Sequence, residues 1–339
     1  MTKPYDLLTL GEILLRLSPS PEERLSSGDF FRKSVGGAEL NVAAGASLLG
    51  LRTGILSKIP DNALGEYVQN QIQLRGVDTR YLALDPLRSA RLGIYYYEYG
   101  SSPRKPQVVY DRLHTSARSM TLSDFPESVY SSARCFHTSG ITLALSEDCR
   151  ALSIEMIRRF KEQGALISFD VNYRSNLWSG EEARYWIEQI LPLVDIFFCS
   201  EDTARLTFHK EGDAREILKS FTEDYPISIV AASQRIVHSP KCHSFGSLLY
   251  QASTDTFYQE NPYEKIEVLD RIGTGDAFVA GTLYGLLAHS MDCQYAQRIG
   301  NAASALKHSV PGDLPISRLR EVETLIAEHT GSASGEMVR

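Results

Sequence analysis

The chain has 339 residues and a formal net charge of −7. That length allows two domains, or one large α/β domain with an appendage, and the acidic balance excludes the basic face of a general nucleic-acid binder. Hydrophobic residues at 43% supply a large core, five scattered cysteines without CxxC spacing exclude a zinc or disulfide framework and point to the reducing cytoplasm, and no apolar run reaches the ~20 residues of a membrane helix.

In chain order, Leu7–Leu10 reads as a buried first strand, because Gly11 and Glu12 break the apolar stretch too early for a leader peptide. Ser18–Ser34 is polar and irregular, with Pro19 and Pro21. Gly36 and Gly37 then precede a small-residue helix that runs from Asn41 to Gly50. A glycine pair lets backbone approach a ligand, and Asn41 can bond sugar hydroxyls; the same pattern also reads as a plain turn before a closely packed helix. Arg88–Arg112 reads as a hairpin turning at Gly100–Pro103, with Tyr95, Tyr97 and Tyr99 on one face by period-two alternation.

Three further apolar runs, Leu166–Val171, Ile196–Cys199 and Ile227–Ala232, alternate with helical patterns at Glu181–Leu191 and Ala214–Phe221. Strand–helix alternation predicts an α/β fold: a doubly wound, mostly parallel sheet flanked by helices, with a small β-sheet lid. The expected core comprises 1–17, 35–87 and 113–328, the lid 18–34 and 88–112, and a disordered tail 329–339. Ligands on such sheets sit at the carboxyl ends of strands. The segment Ser168–Arg174 fits that rule, since its polar residues start where the apolar run stops.

The segment Asp270–Gly281, DRIGTGDAFVAG, carries the most chemistry. Gly273 and Gly275 leave backbone N–H groups uncovered ahead of an apolar helix, which makes an anion site. Asp276 at that spot is poorly placed to bind phosphate by charge, and well placed to take a proton from a hydroxyl attacking a phosphate. Phe278 stands where a dinucleotide fingerprint needs its third glycine, and no GxxxxGK[ST] loop occurs.

The order of these motifs, GG-x-x-x-N at Gly36–Asn41, DVNYR at Asp170–Arg174 and D-x-x-G-x-G-D at Asp270–Asp276, resembles the ribokinase-like (PfkB-type) carbohydrate kinases over roughly Leu7 to Leu325. Asn172–Trp178, His137–Ser146 and Pro311–Leu314 look like that family's 2-keto-3-deoxygluconate kinase branch. The resemblance implies phosphoryl transfer from ATP, with Mg2+, to the terminal hydroxyl of a sugar acid. By position it makes Asp276 the general base and the N–H groups of Gly273, Thr274 and Gly275 an anion hole. It gives the sugar to Gly36, Gly37, Asn41, Tyr95, Tyr110, Arg112 and Arg174, and the nucleotide to Ser200, Ser233, Arg235, Gly273 and Gly275.

Chemistry independently favours an acid sugar, because arginine pairs match a carboxylate that is costly to bury alone. Two stretches depart from the family pattern. Ser200–Thr203 ends in Thr where N-x-x-E has Glu, so no metal ligand is assigned, with Glu201 the one candidate, through water. Ala231–Arg235 stands where relatives carry K-x-G-x-x-G. The partners expected are the sugar acid and ATP, with no nucleic acid and no membrane, in a homo-oligomer of two or more copies. A kinase for a neutral sugar, or a non-catalytic sugar-binding module, are the alternatives.

Overall fold

The structure, a computed structural model, describes residues 3–331. Its chain starts with β1 (Tyr5–Leu10), β2 (Leu14–Ser18), β3 (Arg32–Gly36), α1 (Ala38–Leu49), β4 (Thr53–Pro60), α2 (Ala63–Gln73) and β5 (Leu82–Asp85). A hairpin of β6 (Gly93–Glu98) and β7 (Gln107–Asp111) leads to β8 (Ala133–Ser139), α3 (Gly140–Leu145), α4 (Glu147–Glu162) and β9 (Leu166–Asp170). Next come α5 (Gly180–Glu188), β10 (Ile196–Phe198), α6 (Glu201–Phe208), α7 (Ala214–Asp224) and the long hairpin β11 (Ile229–Ser239) and β12 (Cys242–Gln251). The chain closes with β13 (Thr256–Gln259), β14 (Tyr263–Glu267), α8 (Thr274–Ala288), α9 (Cys293–His308) and α10 (Leu319–His329).

The large sheet has ten strands in the order β13-β12-β11-β10-β9-β8-β1-β4-β5, with β14 paired to β12. From β11 to β5 every neighbouring pair is parallel, while β12, β13 and β14 pair antiparallel. Helices cover both faces, which is why the central strands are buried along nearly their whole length rather than at alternate residues. On one face Leu7, Cys135, Ile196 and Ile229 pack against α1, α8 and α9. On the other, Leu8, Phe136, Ile167, Phe197 and Val230 meet α4, α5, α6 and α7. Each such aliphatic side chain contributes about 1.5–3 kcal/mol when fully buried.

The second sheet has four strands in the order β3-β2-β6-β7. Its inner face carries Leu14, Tyr95 and Tyr97, against Tyr99 and Ile272 from the approach to α8. The tyrosine alternation therefore places its rings as expected. The boundary of this sheet differs from the sequence reading. Leu14–Ser18 pairs with β3 and β6, so the smaller sheet starts at Leu14 and not at residue 18. The reason is that the chain crosses between sheets over only Gly11–Ile13, so the apolar pattern resumes at once in LLRLS and local pattern does not tell one sheet from the other. At the other end, His329 closes α10 and stacks on Tyr263 with ring centroids 4.0 Å apart, so it is not part of a tail; residues 332–339 lie outside the described residues.

Candidate active site

Most helices in this fold start with a side-chain cap: Asn62 for α2, Ser146 for α4, Ser179 for α5, Ser200 for α6, Asp213 for α7 and Asp292 for α9. Helices α1 and α8 start instead on Gly37 and Gly273, with no side-chain cap. Their first N–H groups therefore remain available to a ligand. Gly37 has φ +143° and Gly273 φ +80°. A Cβ on Gly37 would strike the Glu12 carbonyl oxygen, and one on Gly273 the Asp313 carbonyl oxygen. Both positions require glycine on two counts. Gly275 differs, because a Cβ there would meet nothing within 4 Å.

The two helix starts meet at one cavity of about 410 Å3. Gly37, Asn41, Gly273, Thr274, Gly275 and Asp276 line its floor, and Tyr95, Tyr110 and Arg112 its wall on the smaller sheet. Arg174, Arg235 and Arg271 complete the lining opposite. Asn41 Nδ2 donates to Asp276 Oδ2 at 2.6 Å, which aims the carboxylate. Burial lifts the Asp276 pKa to about 6, against the opposing Asn41 bond and Arg174 charge. Asp170, at the end of β9, rises to about 7 through burial and then through the Asp276 charge. Glu39 is raised by burial although Ser139 Oγ and Thr142 Oγ1 both donate to it at 2.6 Å.

The sequence-selected residues fall into three groups. Gly37, Asn41, Tyr95, Tyr110, Arg112, Arg174, Arg235 and the Gly273–Asp276 run converge on the cavity. Ser200 and Ser233 line a smaller adjoining space of about 170 Å3, which shares Asp170, Asn172, Arg174 and Gly275 with the first. Gly36 and Glu201 reach neither cavity. Gly36 packs on the Asp313 side chain. Glu201 is drawn outward by Arg205 one helical turn on, at 2.7 Å, so it does not face the space where a metal would be held. Among the described residues no cluster of three or more His, Cys, Asp or Glu side chains could hold a metal ion.

Some wall residues already have partners. Arg112 donates to Glu12 through Nε and Nη2, and Thr115 Oγ1 holds the other oxygen of Glu12 at 2.9 Å. The Tyr95 hydroxyl donates to Asp313. Tyr95 stands opposite Tyr110 across β6 and β7, with ring centroids 5.8 Å apart. Among the described residues Arg174, Arg235 and Arg271 form no ion pair, and Arg174 Nη1 donates to the Tyr173 and Asn172 carbonyls.

Sequence reasoning missed the ionic cluster behind this wall. Arg16 on β2 bonds Asp270 at 2.7 Å and Asp313 at 3.0 Å, with its guanidinium 4.3 Å from the Tyr97 ring centre. Burial opposes its charge, and Asp270 and Asp313 more than restore it. Asp270 also accepts from the N–H groups of Ile272 and Gly312, both at 3.0 Å, so it ties the turn before α8 to the loop carrying Asp313. The first Asp of the D-x-x-G-x-G-D motif was the available signal.

A β-sheet edge closing over two uncapped helix starts, with a buried carboxylate aimed between them, defines a small-molecule phosphotransferase site. The pfkB family carbohydrate kinase model matches residues 5–317, and the chain belongs to that family. It is 35% identical to a 2-dehydro-3-deoxygalactonokinase of Haloferax volcanii over 95% of this chain and 96% of that one. It is 32% identical, with a TM-score of 0.90, to the crystal structure of a 2-dehydro-3-deoxygluconokinase from Thermotoga maritima, covering 95% of this chain and 99% of that one. A sugar kinase from Pyrococcus horikoshii, solved in complex with ATP, matches at 25% identity and a TM-score of 0.72 over 93% and 99% of the two chains.

Proposed function

We propose that this chain transfers the γ-phosphoryl group of ATP to the terminal hydroxyl of 2-keto-3-deoxygluconate, giving 2-keto-3-deoxy-6-phosphogluconate and ADP. The observation that carries the reading is the pairing of Asp276 with a cavity whose far side holds three arginines free of carboxylates. A carboxylate with a pKa near 6 is ionised at neutral pH, and accepts a proton from the sugar hydroxyl as the oxygen attacks phosphorus. Its Asn41 bond fixes which oxygen faces the sugar. The uncovered N–H groups at Gly273, Thr274 and Gly275 receive the charge that spreads onto the phosphoryl oxygens.

Arg174 meets the sugar carboxylate, with Arg271 and Arg235 adding positive charge on the same side. Gly37, Asn41, Tyr95 and Tyr110 hold the remaining hydroxyls, and Arg112, already paired to Glu12, keeps the wall in place. The open side of Gly275, next to Ser233 and Ser200, fits the phosphate chain of ATP. Mg2+ would enter on those phosphates, keeping most of its waters, and would withdraw charge from the bond that breaks. The smaller sheet serves as a lid that excludes water. Its exposed Phe30 and Val109 support pairing of two copies through that sheet, which light scattering would read as a doubled mass.

No helix among the described residues is long and apolar enough to cross a membrane. A coupled assay of ADP formation tests the whole reading. We expect kcat/KM for 2-keto-3-deoxygluconate to exceed that for fructose or ribose by roughly 10²-fold or more, because a neutral sugar leaves the arginines unmatched. The galactose-derived epimer belongs in the same panel, given the Haloferax relative's name. Equal rates on acid and neutral sugars would overturn the acid-sugar reading, and no ADP from any sugar would overturn the kinase reading.

A further inference from the structure

A second cavity of about 220 Å3 lies behind the active-site wall, between β2, β3 and the end of α2. Four cationic side chains line it: Arg16, Arg32, Lys33 and Arg75. The only carboxylate in the lining is Asp313, which already receives bonds from Arg16 and Tyr95. In a chain of net charge −7 this is a local inversion of sign.

The arrangement is built rather than incidental to a solvated surface. Arg16 has a side chain only 1% exposed, yet its Nη2 has no hydrogen-bond partner. Arg75 Nε is likewise buried without a partner. An orphaned guanidinium nitrogen in a polar space is costly unless an acceptor is supplied. Among the described residues the side chains of Arg32 and Arg75 form no hydrogen bond or ion pair, and the Lys33 ammonium faces the Tyr67 ring at 4.0 Å. Tyr67 and Gln71 share a face of α2 at four-residue spacing, and Arg75, just past the helix end, joins them in the lining, so a phenol, an amide and a guanidinium meet there. Ser18 and Ser34 add hydroxyls.

We infer that this cavity is an anion site for a phosphate group, either free phosphate or the phosphate of a sugar ester, separate from the phosphotransfer site. Its size suits an oxyanion and is below that of ordinary drug-sized pockets. Several guanidinium groups matching the oxygens of a doubly charged anion are the expected recognition chemistry. Asp313 lines both cavities, so Arg16 stands one side chain away from the sugar site.

Calorimetric titration of the full chain with sodium phosphate, and in parallel with 6-phosphogluconate, tests the assignment. One saturable site is expected. Arg75→Gln and Lys33→Gln should each weaken it about tenfold, while Arg174→Ala in the other cavity leaves it unchanged. Lys33 is exposed, so its variant reads the site without a folding question. Whichever of the two titrations is weakened by Arg75→Gln and Lys33→Gln, and not by Arg174→Ala, reports this site, and the tighter of them identifies its natural occupant. Absence of saturable binding to the wild-type chain overturns it, as does binding that survives both Arg75→Gln and Lys33→Gln or is lost in Arg174→Ala.

Discussion

Arg16 and Arg112, on the smaller-sheet side, are held by Asp270, Asp313 and Glu12, whereas Arg174, Arg235 and Arg271 across the same wall form no ion pair. The difference separates two uses of one residue type. A guanidinium neutralised in the interior is structural first: removing it strands a buried carboxylate, and of Arg16 only Nη2 is left to offer a ligand. An unpaired guanidinium at a cavity rim keeps its water until an anion replaces it. Asp276 belongs with neither set, since its nearest polar contact is an amide, and its burial leaves its charge only partly compensated.

That contrast can be broken at three points. Asp276→Ala should have the largest effect, lowering kcat by roughly 10³- to 10⁴-fold while sugar binding by calorimetry changes little. Full turnover in this variant would remove the base from the mechanism. Next come the arginines taken as a pair. Arg16→Met should lower unfolding stability in urea by about 3–5 kcal/mol, because Asp270 and Asp313 lose their shared cation. Arg174→Ala should leave stability within about 0.5 kcal/mol and reduce kcat/KM for the acid sugar by roughly 30- to 100-fold. If the two variants exchanged phenotypes, the division into structural and receptive arginines would fail.

The smallest effect sharpens the picture of Asp276 itself. Its folded pKa of about 6 lies above the ordinary value of 3.8, so the folded chain holds that proton more tightly than the unfolded one. The associated stabilisation is present below about pH 4 and is lost as pH rises through 6. At pH 8 the wild-type chain therefore carries the penalty of a buried charge. Asp276→Asn should be more stable than wild type there by about 2 kcal/mol, with the gain shrinking toward pH 4. Wild-type kcat/KM should fall on the acid side with a midpoint near the same pKa. A constant stability difference across pH would show that Asp276 is not titrating in this range.

The parallel core was legible because strands covered on both faces become continuous apolar runs, as at Leu166–Asp170 and Ile196–Phe198. The helix start at Gly273–Asp276 was legible as a site not from its glycine turn, which by itself also serves plain packing, but from its order after the Gly36–Asn41 and Asp170–Arg174 motifs. The antiparallel edge of β12, β13 and β14 was not, since segments such as Tyr263–Glu267 are largely exposed and lack a buried pattern. Arg16 escaped notice for the opposite reason. In LLRLS an arginine between leucines reads as the solvent side of an alternating strand, and only the fold brings Asp270 and Asp313, more than 250 residues away, onto that side. Arg112 was placed beside Tyr110 by the family resemblance, but its partner Glu12 is 100 residues distant and could not be inferred from local pattern.

The two glycines flanking Thr274 are not equally replaceable. Gly273 is held by its own backbone angle and by the Asp313 carbonyl, so any chain with this architecture needs it. Gly275 has room for a methyl group on every side, and alanine would favour the helix there by roughly 0.5–1 kcal/mol. Glycine at 275 is thus a concession by the helix to whatever must come close to its backbone. In descendants of this chain freed from catalysis, Gly275→Ala would be among the first changes tolerated, and that single position would separate retired copies from working ones.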